Sequence, residues 1–397
     1  MKRLPIIVLG SLLAGACADT PRPTGGAGQI SATAAVCRTE SVTIAFDFEG
    51  ASQSRCAIEG ERSFSILVTP EHAPPINPSA WYAFRYKAKP GPPVVIELRY
   101  LAARHRYVPK LQAGDTVSML SAGISDEGRT ARFAVPPGAG IVAGQELFLG
   151  KRYNDLIRRL SRSPHVEART LGSSHDGRAI KAIEIGDRNA PYAVILLGRA
   201  HPPEVTGALA MEPFLERIVE LFDSGAIDPA RFRFLAVPLL NPDGVARGHW
   251  RSNVGATDLN RDWGPFAQPE TRSVRDWLAR LPTGTRPVAL LDFHSTQRDV
   301  FYTIPAALPT DPAGFTDRWL DLLAARVPDF GISREPGHET GSGVSKNWFY
   351  DTYGAPAVTF EIGDETERRL IDRVGRQAAD AFAQALGEAK PASIRQE

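Results

Sequence analysis

The sequence predicts two domains, a small antiparallel β-sandwich followed by an α/β sheet with helices on both faces. Three observations predict it. Residues 36–148 carry short runs in which apolar and polar residues alternate, with Pro and Gly between them. From residue 149 the pattern changes to helical and strand segments in alternation. Several of those strands are continuously apolar, as strands buried on both faces are. A length of 397 residues exceeds one ordinary domain and allows a large core.

The chain opens with "MKRLPIIVLGSLLAGAC": a basic start at Lys2 and Arg3, an apolar stretch from Leu4 to Leu13, and small residues before Cys17. Residues 1–17 therefore read as a secretory signal, and the apolar stretch is too short to span a bilayer. "LAGAC" resembles a bacterial lipobox, which would make Cys17 a lipidated first residue and attach the protein to a membrane. Ordinary cleavage to a soluble exported protein is the alternative. The expected location is outside the cytoplasm: a bacterial periplasm, with or without a lipid anchor, or the medium. Residues 18–35 are Pro, Gly, Ala and Thr and read as a flexible linker. A formal net charge of +1 supplies no global field, so nucleic acid is not expected as a partner. Nothing in the sequence fixes an oligomeric state.

The N-terminal domain, residues 36–148, has expected strands at 42–48, 64–68, 81–88 and 94–102. In the first of them Val42, Ile44, Phe46 and Phe48 share one face. Cys37 and Cys56 flank it, and an oxidising compartment permits a disulfide between them. They lie far from the histidine motifs and are not a metal site. No catalytic constellation is visible in this domain, and a packing or docking module is the favoured reading.

The second domain, residues 149–392, starts with a helical segment at 151–162. Strands are expected at 180–186, 192–198, 232–240, 287–294 and 355–363, with helices at about 205–223, 269–281, 313–327 and 367–387. Four of the strands run straight into polar residues. One reaches His201 and Glu204, one reaches "NPDG" (241–244), one ends at His294 and one at Glu361. Ligands of open α/β sheets bind beyond the carboxyl ends of strands, so these motifs should gather at one edge. His201, Glu204 and His294 form the ligand set of one catalytic Zn2+ with a position left open for water. Glu361 is then free to act as a base. Pro202 and Pro203 suit the first turn of a helix, which would put His201 just before it and Glu204 in its first turn. A His followed three residues later by a Glu is a weak signal alone. The strand-end placement of the other two groups strengthens it.

"HPPE", "NPDG", "DLNRDW", "DFHS" and "FEIGDE" occur in the order found in the zinc carboxypeptidases, and residues 150–390 resemble that family. The resemblance implies a mixed sheet and a peptide substrate with a free C-terminal carboxylate. It implies that His201, Glu204 and His294 hold zinc and that Glu361 is the general base. It further implies that Asn260 and Arg261 grip the terminal carboxylate, that Arg251, after Trp250, stabilises the oxyanion, and that Asp258 orients the first histidine. Taken singly, Arg251 and Arg261 would read as surface ion pairs. The sandwich with "WYAFRY" resembles, more loosely, the cytosolic-type carboxypeptidases. Only the architecture carries over to an exported chain.

One departure stands out. Aligning "SGVSKNW" (342–348) with the family's segment puts Glu339 where a loop tyrosine is usual, with His338 beside it. Tyr350 and Tyr353 fall in the stretch leading to the last strand, so the tyrosine is either replaced or supplied from elsewhere. His338 is a candidate proton donor, with an exposed loop histidine as the plain alternative. Lys346 falls at the floor of the pocket for the terminal side chain. A buried ammonium needs a partner, which points to an acidic terminal residue or the acidic end of a peptidoglycan stem peptide. Snorkelling to solvent is the alternative. A deacylase or amidase on the same scaffold, and a non-catalytic wall- or peptide-binding lipoprotein, are the competing functions. The second is disfavoured because all three ligands, the base and the arginine are present.

Overall fold

A computed structural model describes residues 34–73, 78–114 and 116–389. The signal segment, Cys17 and nearly all of the linker lie outside the described residues. Among those described, no helix is long and apolar enough to cross a membrane.

The first domain is built from β1 (Val36–Arg38), β2 (Val42–Ala45), β3 (Arg55–Gly60), β4 (Ser63–Val68), β5 (Ala83–Ala88), β6 (Val94–Tyr100), β7 (Lys110–Ala113), β8 (Thr116–Met119), β9 (Gly123–Ser125), β10 (Thr130–Val135) and β11 (Gly138–Ala143). One sheet runs β1-β2-β5-β11-β7-β8 and the other β3-β4-β6-β10-β9. Phe64, Ile66 and Val68, with Phe84 and Tyr86 and with Val94, Ile96 and Leu98, point inward at every second position and fill the space between the sheets. The sandwich departs from the expected pattern at one pair: β4 and β6 are parallel, because β5 leaves for the other sheet between them. Cys37 on β1 and Cys56 on β3 form a disulfide that ties the two sheets together.

The second domain contains β12 (Val166–Ser173), β13 (Ala179–Ile185), β14 (Tyr192–Gly198), β15 (Phe232–Val237), β16 (Arg286–Thr296), β17 (Val300–Thr303), β18 (Arg334–Pro336) and β19 (Ala357–Gly363). They form one mixed sheet in the order β12-β13-β15-β14-β16-β19-β17-β18, with a parallel centre. Its helices are α1 (Gly150–Leu160), α2 (Val205–Asp223), α3 (Pro242–Arg247), α4 (Pro269–Leu278), α5 (Phe315–Arg326), α6 (Ser345–Tyr353) and α7 (Arg368–Glu388). The cores under the two faces are separate. Side chains of α2, α5 and α7 pack on one face, and those of α4 and α6 on the other. Every residue of β15, and all but the first of β14, is buried, which is why their sequences are apolar without alternation apart from Arg233, which pairs with Glu184 (2.8 Å).

After β14 the chain moves to β15 on one side and then to β16 on the other. The order of strands therefore reverses around the carboxyl end of β14, where such sheets leave a crevice. The motifs of the second domain open into it.

Candidate metal centre and substrate cleft

Several contacts shape the turn after β14. Arg199 adopts a left-handed backbone conformation (φ 55°), and its buried guanidinium bonds Pro202 O, Phe148 O and the Tyr153 hydroxyl. Asn241 of "NPDG" donates to Ala200 O (3.1 Å) and caps α3 through Gly244 N. That motif thus braces the turn and brings no reactive group to the cleft. Both prolines precede α2, which begins at Val205. Glu204 is the residue before the helix rather than part of its first turn, with ψ at 68°. This frees its carboxylate to turn toward the histidines. Gly207 lets α2 approach β16: a Cβ there would lie 2.4 Å from His294 O.

The result is a compact cluster. His201 Nδ1 lies 2.7 Å from one oxygen of Glu204, and His294 Nδ1 lies 2.7 Å from the other. Each imidazole turns its far nitrogen to a carboxylate: His201 Nε2 is 2.8 Å from Asp258 Oδ1, and His294 Nε2 is 3.0 Å from Asp292 Oδ2. Burial opposes ionisation of Glu204, yet the two imidazoles hold it well below the ordinary carboxylate range. Ligand atoms of the three residues lie within 4.8 Å of one another. Two imidazole nitrogens and one carboxylate are the donor set of an open zinc site, and carboxylate-backed imidazoles are what metal-ligating histidines use. The residues fit a zinc ion.

Glu361 on β19 pairs in register with His294 on β16, which puts the two side chains on the same side of the sheet edge. Burial first, then the neighbouring Glu204 charge, push its carboxyl up to about 7. Its Oε2 has no protein partner. Arg251 Nε donates to Asp258 Oδ2 (2.7 Å), so Asp258 joins Arg251 to His201. Burial works against that carboxylate, but His201 and Arg251 hold it far below its ordinary value. Asp258 also caps the turn Leu259–Arg261 by accepting from Asn260 N (2.8 Å). Asn260 Oδ1 in turn accepts from Ser345 N (2.9 Å).

His201, Glu204, His294, Glu361, Arg251 and Asn260 line one open cleft of about 480 Å³, together with Arg261, Lys346, His338 and Glu339. Lys346 is 4% exposed and does not snorkel. Its Nζ bonds Asn347 Oδ1 (2.9 Å), Thr303 O (3.4 Å) and the Gly337 carbonyl, with no carboxylate paired to it among the described residues, and burial pulls it down to about 8. His338 is tethered to Asp351 (2.9 Å) and lies edge-on to Tyr350. Tyr353 packs among Trp348 and Phe349, away from the cleft.

Three further residues belong to the site. Asp292 was legible, since residues two apart on a strand share a face and "DFH" puts it beside His294. Tyr302 lines the cleft from β17, on a strand pairing antiparallel with β19; no motif marks it. Arg106 lines the cleft from the sandwich. The sandwich also holds the Arg251 loop, because Glu71 Oε1 accepts from Arg251 N (2.9 Å) and Ser252 N (3.1 Å).

The family model for zinc carboxypeptidases (peptidase M14) matches residues 153–378. With that match over more than half its length, the chain belongs to the zinc carboxypeptidase family. An uncharacterized protein of Zymomonas mobilis is 30% identical over 230 residues, 53% of this chain and 58% of that one. Cytosolic carboxypeptidase 2 of Danio rerio is 29% identical over 147 residues, 34% of this chain and 20% of that one. Human cytosolic carboxypeptidase 4 is 37% identical over 120 residues, 29% and 11% of the two chains. The chain thus spans little more than half of the first of these relatives and a smaller part of the other two. Among solved structures, a metallo-carboxypeptidase from Burkholderia cenocepacia superposes with a TM-score of 0.74 at 17% identity, covering 88% of this chain and 100% of that one. A metallo-carboxypeptidase from Pseudomonas aeruginosa, in complex with (2-guanidinoethylmercapto)succinic acid, gives 0.70 at 18%, covering 87% and 99%. These likenesses show the fold, and their coverage takes in the sandwich as well.

Proposed function

We propose that the chain is a zinc-dependent carboxypeptidase that hydrolyses the C-terminal amide bond of peptides. The observation that carries this reading is the convergence of two carboxylate-backed imidazoles on Glu204, with Glu361 in register beside His294. Zinc held by His201, Glu204 and His294 would supply Lewis acidity toward a carbonyl and lower the pKa of a water. Glu361, with its carboxyl near neutrality, takes a proton from the attacking water and returns it to the leaving amine. Arg251, held through Nε by Asp258, keeps its remaining donors for the oxygen that gains charge in the tetrahedral state. Asn260 and Arg261 bind the terminal carboxylate, for which a planar guanidinium suits the two oxygens. Lys346 sits buried without a carboxylate partner, which supports a preference for an acidic terminal side chain: Glu, Asp or the diaminopimelate end of a peptidoglycan stem. The signal-like N-terminus and the Cys37–Cys56 disulfide support export, with Cys17 as the site of a lipid anchor. Fractionation of the full chain against its Cys17→Ser variant tests the anchor: an anchored chain sediments with membranes and the variant does not.

The activity is tested by incubating zinc-loaded protein with peptides ending in Glu, Asp, Lys, Phe or D-Glu-diaminopimelate and identifying the released residue by mass spectrometry. Release of an acidic residue that stops on chelation is the expected result. Release of Phe or Lys alone would remove the Lys346 pocket from the proposal, and no release would remove the peptidase reading.

A further inference from the structure

We infer that the sandwich domain supplies a substrate-binding residue, Arg106, which meets a substrate oxygen upstream of the scissile carbonyl. The inference rests on the carboxypeptidase reading above. Arg106 lies between β6 and β7, outside the segment matched to the family. Its guanidinium lines the cleft together with His201, Glu204 and Arg251. It is held there from two sides. Nε donates to Asp364 Oδ2 (2.7 Å), three residues beyond Glu361, and the guanidinium carbon sits 5.1 Å and 5.2 Å from the ring centres of Tyr107 and Trp250. Such stacking fixes the plane of the fork before any ligand arrives.

Two other cations that join the two domains differ from Arg106. Lys110 Nζ bonds Val108 O, Gly144 O and both oxygens of Glu365. Arg368 bonds both oxygens of Glu146, Gln145 Oε1 and two carbonyls. Their donors are used up at the interface. Among the described residues, Arg106 Nη2 is buried without a partner, and so is Asp364 Oδ1. The pair therefore forgoes the two-bond fork that a purely structural Arg–Asp contact favours. A buried donor left open beside a reaction centre calls for an acceptor supplied by the ligand. The terminal carboxylate already has Asn260 and Arg261, and the terminal side chain has Lys346. The scissile carbonyl has Arg251. The oxygen left for Arg106 is an acidic side chain on the residue before the bond, or the carbonyl of the residue before that one.

The test compares wild type, Arg106→Ala and Arg106→Lys on blocked peptides with one terminal residue and either Ala or Glu before it. Melting temperatures are measured alongside, and Lys110→Ala serves as an interface control. Loss of a hydrogen bond to a charged donor should lower kcat/KM about 10- to 100-fold for Arg106→Ala, mainly through KM. A fall on both peptides assigns the next carbonyl upstream, here that of the acyl blocking group, and a fall confined to the Glu peptide assigns the side chain. Arg106→Lys should recover part of the loss, and Lys110→Ala should lower melting temperature without changing KM. The inference is overturned if Arg106→Ala leaves kcat/KM unchanged on both peptides, or if its loss only tracks a melting-temperature fall like that of Lys110→Ala. A wild type that releases no residue overturns the carboxypeptidase reading and the inference with it.

Discussion

On the sheet side of the cleft each reactive group sits at or just beyond a strand end. On the sandwich side, Arg106 and Glu71 reach their partners across 258 and 180 residues of sequence. The sheet side holds groups suited to bond breaking: His201, Glu204 and His294 around one point, and Glu361 in register with one of them. The sandwich side holds groups that aim others. Glu71 accepts from the backbone of the Arg251 loop, and Arg106 grips Asp364 just past Glu361. Chemistry is thus local to the sheet edge, and part of its alignment is imported from the other domain.

The sharpest way to break this division is at the sheet edge. Glu361→Gln and His294→Ala should each lower residue release on the order of 10²–10⁴-fold, yet differ in zinc content. The glutamine variant keeps the metal and the alanine variant loses it, as elemental analysis of dialysed protein would show. A Glu361→Gln variant that retained most of its activity would remove Glu361 from the base role. Arg251→Ala comes next, with an expected fall in kcat on the order of 10²–10³-fold. Glu71→Ala should give a smaller fall in kcat with zinc content and KM unchanged, because it loosens the loop that carries Arg251 and leaves the substrate grip alone. If Glu71→Ala altered zinc content instead, the separation between the two sides would fail.

Asp258 and Asp292 sharpen the comparison further. Both back a histidine, so Asp258→Asn and Asp292→Asn should each weaken zinc binding about 10- to 100-fold, read by competition with a chelator. Only Asp258 also holds Arg251. Its variant should therefore lose kcat even at saturating zinc, whereas the Asp292 variant should recover it.

Much of the site could be read in the sequence for a physical reason. Strand ends convert a linear pattern into a spatial one, because apolar runs that stop at His201, "NPDG", His294 and Glu361 must stop at one edge. Asp292 was missed, although its two-residue spacing from His294 on one strand was a signal that could have found it. What could not be read depends on folding at long range. Tyr302 sits on a four-residue strand whose pairing with β19 no local pattern announces. Arg106 and Glu71 lie in irregular segments of a domain without a motif of its own. Their role follows from docking, and the arginine of an interface pair looks the same in sequence as one that serves a cleft. Glu204 stands just before α2 rather than in its first turn for a related reason: proline tolerance at a first turn is a local rule, and the carboxylate of Glu204 obeys the histidines instead.

The smallest effect is expected at Lys346. Burial lowers its pKa to about 8 in the free protein. The ammonium is therefore present below that pH and is lost as pH rises through it. A preference for acidic over neutral terminal residues, taken as a ratio of kcat/KM values, should hold at neutrality and decline as pH rises past about 8, since kcat/KM reports groups of the free enzyme. Dividing by the neutral substrate cancels the titration of Glu361, which serves both. Lys346→Met should remove the preference and its pH dependence together, at a cost of roughly tenfold or somewhat more on the acidic substrate alone. A flat ratio in the wild type, or a Met variant that kept its preference for Glu, would mean that Lys346 serves only the Gly337 carbonyl and the α6 turn and that selectivity is set elsewhere in the cleft.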